Sequence, residues 1–249
     1  MSKTILITGA SSGLGEEMAR QFAALGYNLA LCARRTDRLD ALKGELTTRH
    51  PDQRFEVRAL DVNDDDAVFE VFGAFQKDFE TLDRVIINAG LGKGAPIGTG
   101  RYDANRATAM TNFVAALAQA EAAMEIFRKQ NAGHLVMISS MSAMRGMPKA
   151  GATYAATKAG VAHLAEGLRA EMLGKPIKVS TIFPGYIRSE MNEAVKAAPF
   201  IVSTQKGVRA MVEAIEKEKP KAAVPTWPWV PLGFALKHLP LPMARKLTG

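Results

Sequence analysis

The sequence predicts an α/β fold, a doubly wound parallel sheet of about seven strands with helices on both faces. Three observations predict it. Short β-rich runs alternate with longer helical patterns from Thr4 to about Val224, a glycine-rich turn follows the first run at once, and no Ser/Gly-rich linker breaks the alternation. The chain has 249 residues, 47% of them apolar and 23% charged, which is ordinary globular usage with enough apolar material for a two-faced core. One domain over residues 1–249 is expected, with 186–205 as a lid and 225–249 as an apolar tail.

The elements follow in order. Thr4–Thr8 is the first strand. After the glycine-rich turn, Leu14, Met18, Phe22 and Leu25 recur at helical spacing until Gly26 stops the helix. Tyr27–Ala33 is the second strand, Thr36–Thr48 a helix and Arg54–Leu60 the third strand. Asp64–Asp78 is a helix whose opening acids suit its N-terminal dipole. Arg84–Asn88 is the fourth strand, followed by a long helix over roughly Asn105–Gln130 and a fifth strand, His134–Ser139. A helix over Thr153–Leu173, a strand over Lys178–Phe183, a helix over Thr204–Glu218 and a last strand at Ala222–Val224 complete the pattern.

Composition excludes several classes. The single cysteine, Cys32, permits no internal disulfide and fits a reducing, cytoplasmic setting. His50, His134, His163 and His238 have no partner at metal-ligand spacing, so no metal site is expected. The net charge of +7 is spread along the chain rather than gathered with aromatics, which argues against nucleic acid. Residues 1–4 run straight into a strand pattern without the layout of a signal peptide, and no apolar run reaches the roughly 18 residues of a spanning helix. A soluble or peripherally bound protein is expected.

In such a sheet, ligands bind beyond the carboxyl ends of the strands. The first strand ends in Thr8-Gly9-Ala10-Ser11-Ser12-Gly13-Leu14-Gly15, where the next helix begins. Glycines let the backbone approach a pyrophosphate, and free N–H groups at the helix start meet its charge. The spacing is GxxxGxG, not the GxGxxG of the general dinucleotide fingerprint. At the end of the second strand stand Arg34 and Arg35, where an NAD-selective fold carries an acid. Guanidinium groups suit a 2′-phosphate, so NADP(H) is preferred over NAD(H). Farther on, Tyr154 and Lys158 are spaced i, i+4 and project from one helical face as an acid–base pair. A free tyrosine has a pKa of about 10, and bringing it near 7 takes roughly 4 kcal/mol of phenolate stabilisation. A nearby Lys⁺ and an oxidised nicotinamide act in that direction.

Together these motifs resemble the short-chain dehydrogenase/reductase family, whose members carry TGxxxGxG at the first turn and YxxxK downstream. The resemblance covers about Thr4–Val224 and implies a Rossmann-type fold and hydride transfer between a nicotinamide cofactor and a secondary alcohol or ketone. It implies cofactor contacts from Gly9, Ser11, Ser12, Gly13, Leu14 and Gly15. It adds Asp61-Val62 at the adenine and Asn88-Ala89-Gly90 beside the cofactor, although Ile87 stands where the motif often has another Asn. It makes Tyr154 the general acid/base, beside Lys158 and with Ser140 stabilising the carbonyl oxygen, Ser142 being a rival because Met141–Thr153 looks one residue long. Asn112 matches an asparagine that supports a proton relay through water and the lysine. Pro184, Gly185, Ile187 and Ser189 match the segment at the nicotinamide end, with Ser189 in place of the usual threonine.

Substrate choice rests on the least regular parts. Met191–Ser203, with Pro199, reads as a lid. The tail from Pro225 holds both tryptophans and a short basic, apolar helix, which suits a greasy-pocket cover, a subunit contact or a membrane interface with Lys237, Arg245 and Lys246 near anionic lipid. A lipophilic ketone or alcohol such as a steroid, retinoid or lipid intermediate is expected, with a 3-oxoacyl-thioester reductase as the alternative. A non-catalytic NADP(H) sensor would be free to lose Ser140, Tyr154 or Lys158, and all three are present. A membrane-interaction protein acting through the tail is the other non-enzymatic reading. The resemblance also implies a homodimer or homotetramer built on the helices at Asn105–Gln130 and Thr153–Leu173.

Overall fold

A computed structural model describes residues 2–192 and 200–248. The expected lid therefore falls in two pieces, and its positions 193–199, Pro199 among them, lie outside the described residues. Seven parallel strands form one sheet: β1 (Thr4–Thr8), β2 (Asn28–Ala33), β3 (Phe55–Ala59), β4 (Arg84–Ile87), β5 (Gly133–Ile138), β6 (Ile177–Pro184) and β7 (Lys221–Val224). Their spatial order is β3-β2-β1-β4-β5-β6-β7. The order reverses direction between β1 and β4, which are paired from Ile5↔Arg84 to Ile7↔Ile86. A crevice opens at such a switch point because the crossovers from the two strands lie on opposite faces.

Period-two burial explains the two faces. Leu6, Ala30, Cys32, Val85, Ile87, Leu135 and Met137 pack into one apolar cluster with the helices that contain Phe72, Phe75 and Phe127. Their neighbours in sequence, Ile5, Ile7, Leu29, Leu31, Ile86, Val136 and Ile138, pack into a second cluster with Met18, Phe22 and Met211. Every strand at the centre of the sheet is thus apolar on both sides, as a parallel sheet covered by helices requires. Truncating one of the fully buried large side chains to Ala costs about 2–5 kcal/mol in such a core.

The helices are α1 (Gly13–Ala24), α2 (Thr36–Arg49), α3 (Asp65–Phe79), α4 (Tyr102–Ala109), α5 (Ala115–Gln130), α6 (Gly151–Glu171), α7 (Thr204–Glu216), α8 (Thr226–His238) and α9 (Leu241–Thr248). Asp64 caps α3 by accepting from the Ala67 N–H at 3.1 Å, and Asp65 and Asp66 sit in its first turn, as the dipole favours. The long helix expected from Asn105 to Gln130 is interrupted by one π-helical turn, Met110–Val114, which joins α4 to α5 and holds Asn112. Such a bulge re-aims side chains within a helix. The stretch after β5 contains a short 3-10 turn, Met141–Met144, that the sequence reading had no element for.

Candidate active site

The carboxyl ends of the central strands open onto a cleft of about 640 Å³. One wall is the glycine-rich turn. Gly9 and Gly13 have φ of +66° and +59°, where a side chain is strained. A Cβ on Gly15 would lie 2.3 Å from the Gly9 carbonyl oxygen and 2.7 Å from Asn88 Nδ2, so the helix must start with glycine packed on the turn. Asn88 holds that turn from β4, its Nδ2 donating to the Thr8 carbonyl at 3.0 Å while Thr8 Oγ1 accepts from the Asn88 N–H at 3.1 Å. Ser12 begins α1 without a side-chain cap, which leaves the first-turn N–H groups to face the cleft. That cradle, with Ser11, Ser12 and two arginines beside it, fits the diphosphate of a dinucleotide.

The arginines are placed differently from one another. Arg35 lies over the turn, donating from Nε to Ser11 Oγ at 3.3 Å and from Nη2 to Ser12 Oγ at 2.5 Å, and it pairs with Glu190 at 3.1 Å. Arg34 is exposed and stands 3.9 Å from Asp61. Asp61 itself accepts from the Asn63 backbone and side chain at 3.1 and 2.9 Å. The segment after β6 crosses above the turn: Ser189 lies near Gly13, and Met191 sits so close to Gly92 that a Cβ there would meet it at 2.5 Å. Ile187 and Val202 form a bridge that ties this segment to the start of α7.

Ser140, Tyr154 and Lys158 line the cleft as well. Ser139 Oγ donates to the Lys158 carbonyl at 2.8 Å and is a structural tie, while Ser140 lines the cleft and accepts from the Ser142 N–H at 3.2 Å. Ser142 does not line it; its hydroxyl is buried and without a hydrogen bond. Tyr154 and Lys158 line the cleft one helical turn apart, with Lys158 Nζ 5.9 Å from the Tyr154 ring centre and donating to the Ile138 carbonyl at 2.9 Å. Asn112 is held from both ends on Leu91, accepting from its N–H at 2.6 Å and donating to its carbonyl at 2.9 Å. Its Oδ1 and Lys158 Nζ both flank Gly90, 3.4 and 3.6 Å from where a Cβ would stand.

Against known proteins, a family model described as short chain dehydrogenase matches residues 3–199. The chain belongs to the short-chain dehydrogenase/reductase family. It is 52% identical over 244 residues to an uncharacterized oxidoreductase of Mycobacterium tuberculosis, covering 98% of this chain and 96% of the other. A short-chain dehydrogenase from Sphingobium yanoikuyae, solved in complex with NADPH, superposes with a TM-score of 0.83 at 26% identity, over 94% of this chain and 93% of that one. A short-chain dehydrogenase/reductase from Burkholderia phymatum, solved in complex with NAD, shares the fold with a TM-score of 0.84 at 20% identity, over 95% and 93% of the two chains.

Of the family residues expected in the cleft, Gly9, Ser11, Ser12, Gly13, Leu14, Arg34, Arg35, Asp61, Val62, Asn88, Ala89, Gly90, Ser140, Tyr154, Lys158, Pro184, Gly185, Ile187 and Ser189 all line it. Gly15 and Asn112 stand behind the lining. Loss of water around the Tyr154 phenol pushes its pKa up from the ordinary value, opposed by a hydrogen bond with Ser140. Burial pulls Lys158 down to about 8. Sequence reading also missed Arg38 and Glu190. Arg38 lies one helical turn beyond Arg35, a spacing that was legible, and it pairs with Glu190. That Glu190 joins Arg35 to Arg38 could not be read, because the loop carrying it is 152 positions away in sequence from Arg38.

Proposed function

We propose that the chain interconverts a secondary alcohol and a ketone with NADP(H) as cofactor, using Tyr154 as proton donor and acceptor. The observation that carries this is the convergence of Ser140, Tyr154 and Lys158 on the cleft that the glycine turn, Arg34 and Arg35 also line. When bound there, the nicotinamide cofactor supplies or takes up a hydride at the substrate carbon. The residues handle the oxygen. Ser140 Oγ donates a hydrogen bond to the carbonyl oxygen and stabilises the negative charge that grows there. Tyr154, kept protonated by its dry surroundings, gives its proton to the same oxygen in reduction and takes it back in oxidation. Lys158, with a pKa of about 8, carries most of its charge at neutral pH and favours the phenolate left behind. Asn112 positions Leu91 and Gly90 beside that lysine.

Arg34 and Arg35 support NADP(H), because no acid lies at the end of β2 and both guanidinium groups border the cleft. A lipophilic substrate is supported by the apolar cluster that adjoins Ser140: Met141, Phe183 and Trp229, with Met144 and Leu232 packed against them. We read residues 1–249 as one domain, with Val114, which ends the π-helical turn, and Leu117 on α5 exposed as part of a homo-oligomer contact. Titration of the purified protein with NADPH and NADH, followed by a ketone panel read at the nicotinamide absorbance, tests the reading. Tighter NADPH binding with turnover of an apolar ketone is expected. Absence of binding to either nucleotide would overturn the proposal at its first motif.

A further inference from the structure

The outer face of α8 and α9 sets a problem that the cleft does not solve. On its inner side α8 buries Trp229, Gly233 and Leu236, and Trp229 packs so tightly on Gly185 that a Cβ there would lie 2.0 Å from the indole. Its outer side is apolar as well. Trp227 is 78% exposed, Phe234 69% and Val230 50%, and on α9 Leu241 is 64% and Met243 53% exposed. A helix apolar on all sides belongs in an apolar medium on all sides, and protein covers only one of them.

The charge around this face says what covers the rest. Residues 219–249 contain Lys219, Lys221, Lys237, Arg245 and Lys246 and not one Asp or Glu; Lys221 is paired with Glu166 at 2.7 Å and Glu213 lies beside Lys219, so the positive charge of the face rests on Lys237, Arg245 and Lys246. Lys237 and His238 end α8 and Arg245 and Lys246 end α9, so exposed basic groups border the exposed apolar ones; Arg145 adds to them by donating to the Lys237 carbonyl at 3.4 Å. A second copy docked here by a two-fold axis would set Lys237, Arg245 and Lys246 against the same basic groups of its partner. An anionic lipid surface complements it, with tryptophan and phenylalanine at the headgroup level and the lysines and arginines at the phosphates. No described helix is long and apolar enough to cross a membrane, so the element would lie in the plane of the interface.

We propose that α8 and α9 form a docking face for the surface of an anionic membrane. The inference stands apart from the cofactor reading, because it uses no residue of the cleft. The face is nonetheless joined to the cleft through Trp229 and Gly185, which places the apolar side of the cleft next to the lipid.

Co-sedimentation of the full chain with vesicles tests it, comparing phosphatidylcholine alone with phosphatidylcholine mixed with phosphatidylglycerol. Binding to the mixed vesicles that falls as salt is raised is expected. Two variants, Trp227→Ala with Phe234→Ala, and Lys237→Ala with Arg245→Ala and Lys246→Ala, should each weaken it by about tenfold or more. Circular dichroism should leave both variants folded, since every substituted side chain is exposed. No binding to the mixed vesicles, equal binding to the neutral ones, or binding that survives both variants would each overturn the proposal. So would light scattering in which the tryptophan variant dissociates an oligomer while the parent ignores vesicles, because the face would then join two copies.

Discussion

The two ends of the parallel sheet both bury titratable side chains, and they treat them in opposite ways. At the amino ends of β4 and β5, Arg84 donates to His134 Nδ1 at 3.0 Å, and His134 Nε2 meets Ser180 Oγ on β6 at 2.8 Å. Arg84 also pairs with Glu216 at 2.5 Å, and Glu216 accepts from the Tyr27 hydroxyl at 2.8 Å. The guanidinium cannot accept, so His134 Nδ1 must, and the ring is neutral with its proton on Nε2. Burial, then the Arg84 charge, holds its pKa down to about 3. At the carboxyl ends, Tyr154 and Lys158 are also deprived of water, but their outward sides border an open cleft. A network closed on itself serves stability, whereas titratable groups held dry against an open space are arranged for a ligand. The difference can be broken experimentally at either end.

The largest effect is expected at the open end. Replacing Tyr154 by Phe removes one hydroxyl and keeps the ring, so turnover should fall by about 10²- to 10⁴-fold while nucleotide titration stays nearly unchanged. Activity within a factor of a few of the parent would remove Tyr154 from the chemistry. At the closed end, the readout is stability. His134 titrates at about 6.5 when unfolded and about 3 when folded, so between these values only the unfolded chain takes up its proton. Stability should therefore fall as pH drops through that window, with a slope of about 1.4 kcal/mol per pH unit from this residue. Denaturant melts of the parent and of His134→Asn, whose side chain does not titrate, should diverge in slope there; parallel profiles would show that the histidine is not held neutral. Turnover at neutral pH should be indifferent to this change.

Cofactor selection is a smaller effect within the open end. Arg34→Ala with Arg35→Ala should raise the NADPH dissociation constant by about ten- to a hundredfold, the worth of lost charge-assisted bonds, and move NADH far less. Equal losses for both nucleotides would mean that the arginines hold the turn rather than a 2′-phosphate, a role open to Arg35 through Ser11 and Ser12.

What was legible in the sequence was local in origin. The strand of Thr4–Thr8, the glycines behind it and the i, i+4 pairing of Tyr154 with Lys158 are each decided by a few neighbouring residues, and the structure carries them. Boundaries moved by one to a few positions where tertiary contacts end an element, as when β6 begins at Ile177 and runs on to Pro184 through pairing with β7. The π-helical turn at Asn112 left no periodic trace, because it is set by the side chain clasping Leu91, 21 positions upstream. Tyr154's environment was equally hidden: a motif names the phenol and the ammonium, but their desolvation depends on what the rest of the fold stacks around them. The contact of Glu190 with Arg35 and Arg38 joins regions that only the sheet order brings together.

That contact yields the smallest and most discriminating prediction. Arg38 and Arg35 hold the Glu190 carboxyl below its usual range, so it stays charged and occupies the guanidinium groups at the mouth of the cleft. An exposed pair of this kind is weak, which limits the effect of losing it to about two- to fivefold in a dissociation constant. Two roles differ in sign. If Glu190 competes with a 2′-phosphate for these arginines, Glu190→Gln should tighten NADPH and leave NADH unchanged. If it instead ties the segment after β6 across the glycine turn, the same substitution should weaken both nucleotides alike. Calorimetric titration of parent and variant with each nucleotide separates the two. The expected result is selective tightening, because a dianionic phosphate satisfies two guanidinium groups more fully than one carboxylate does.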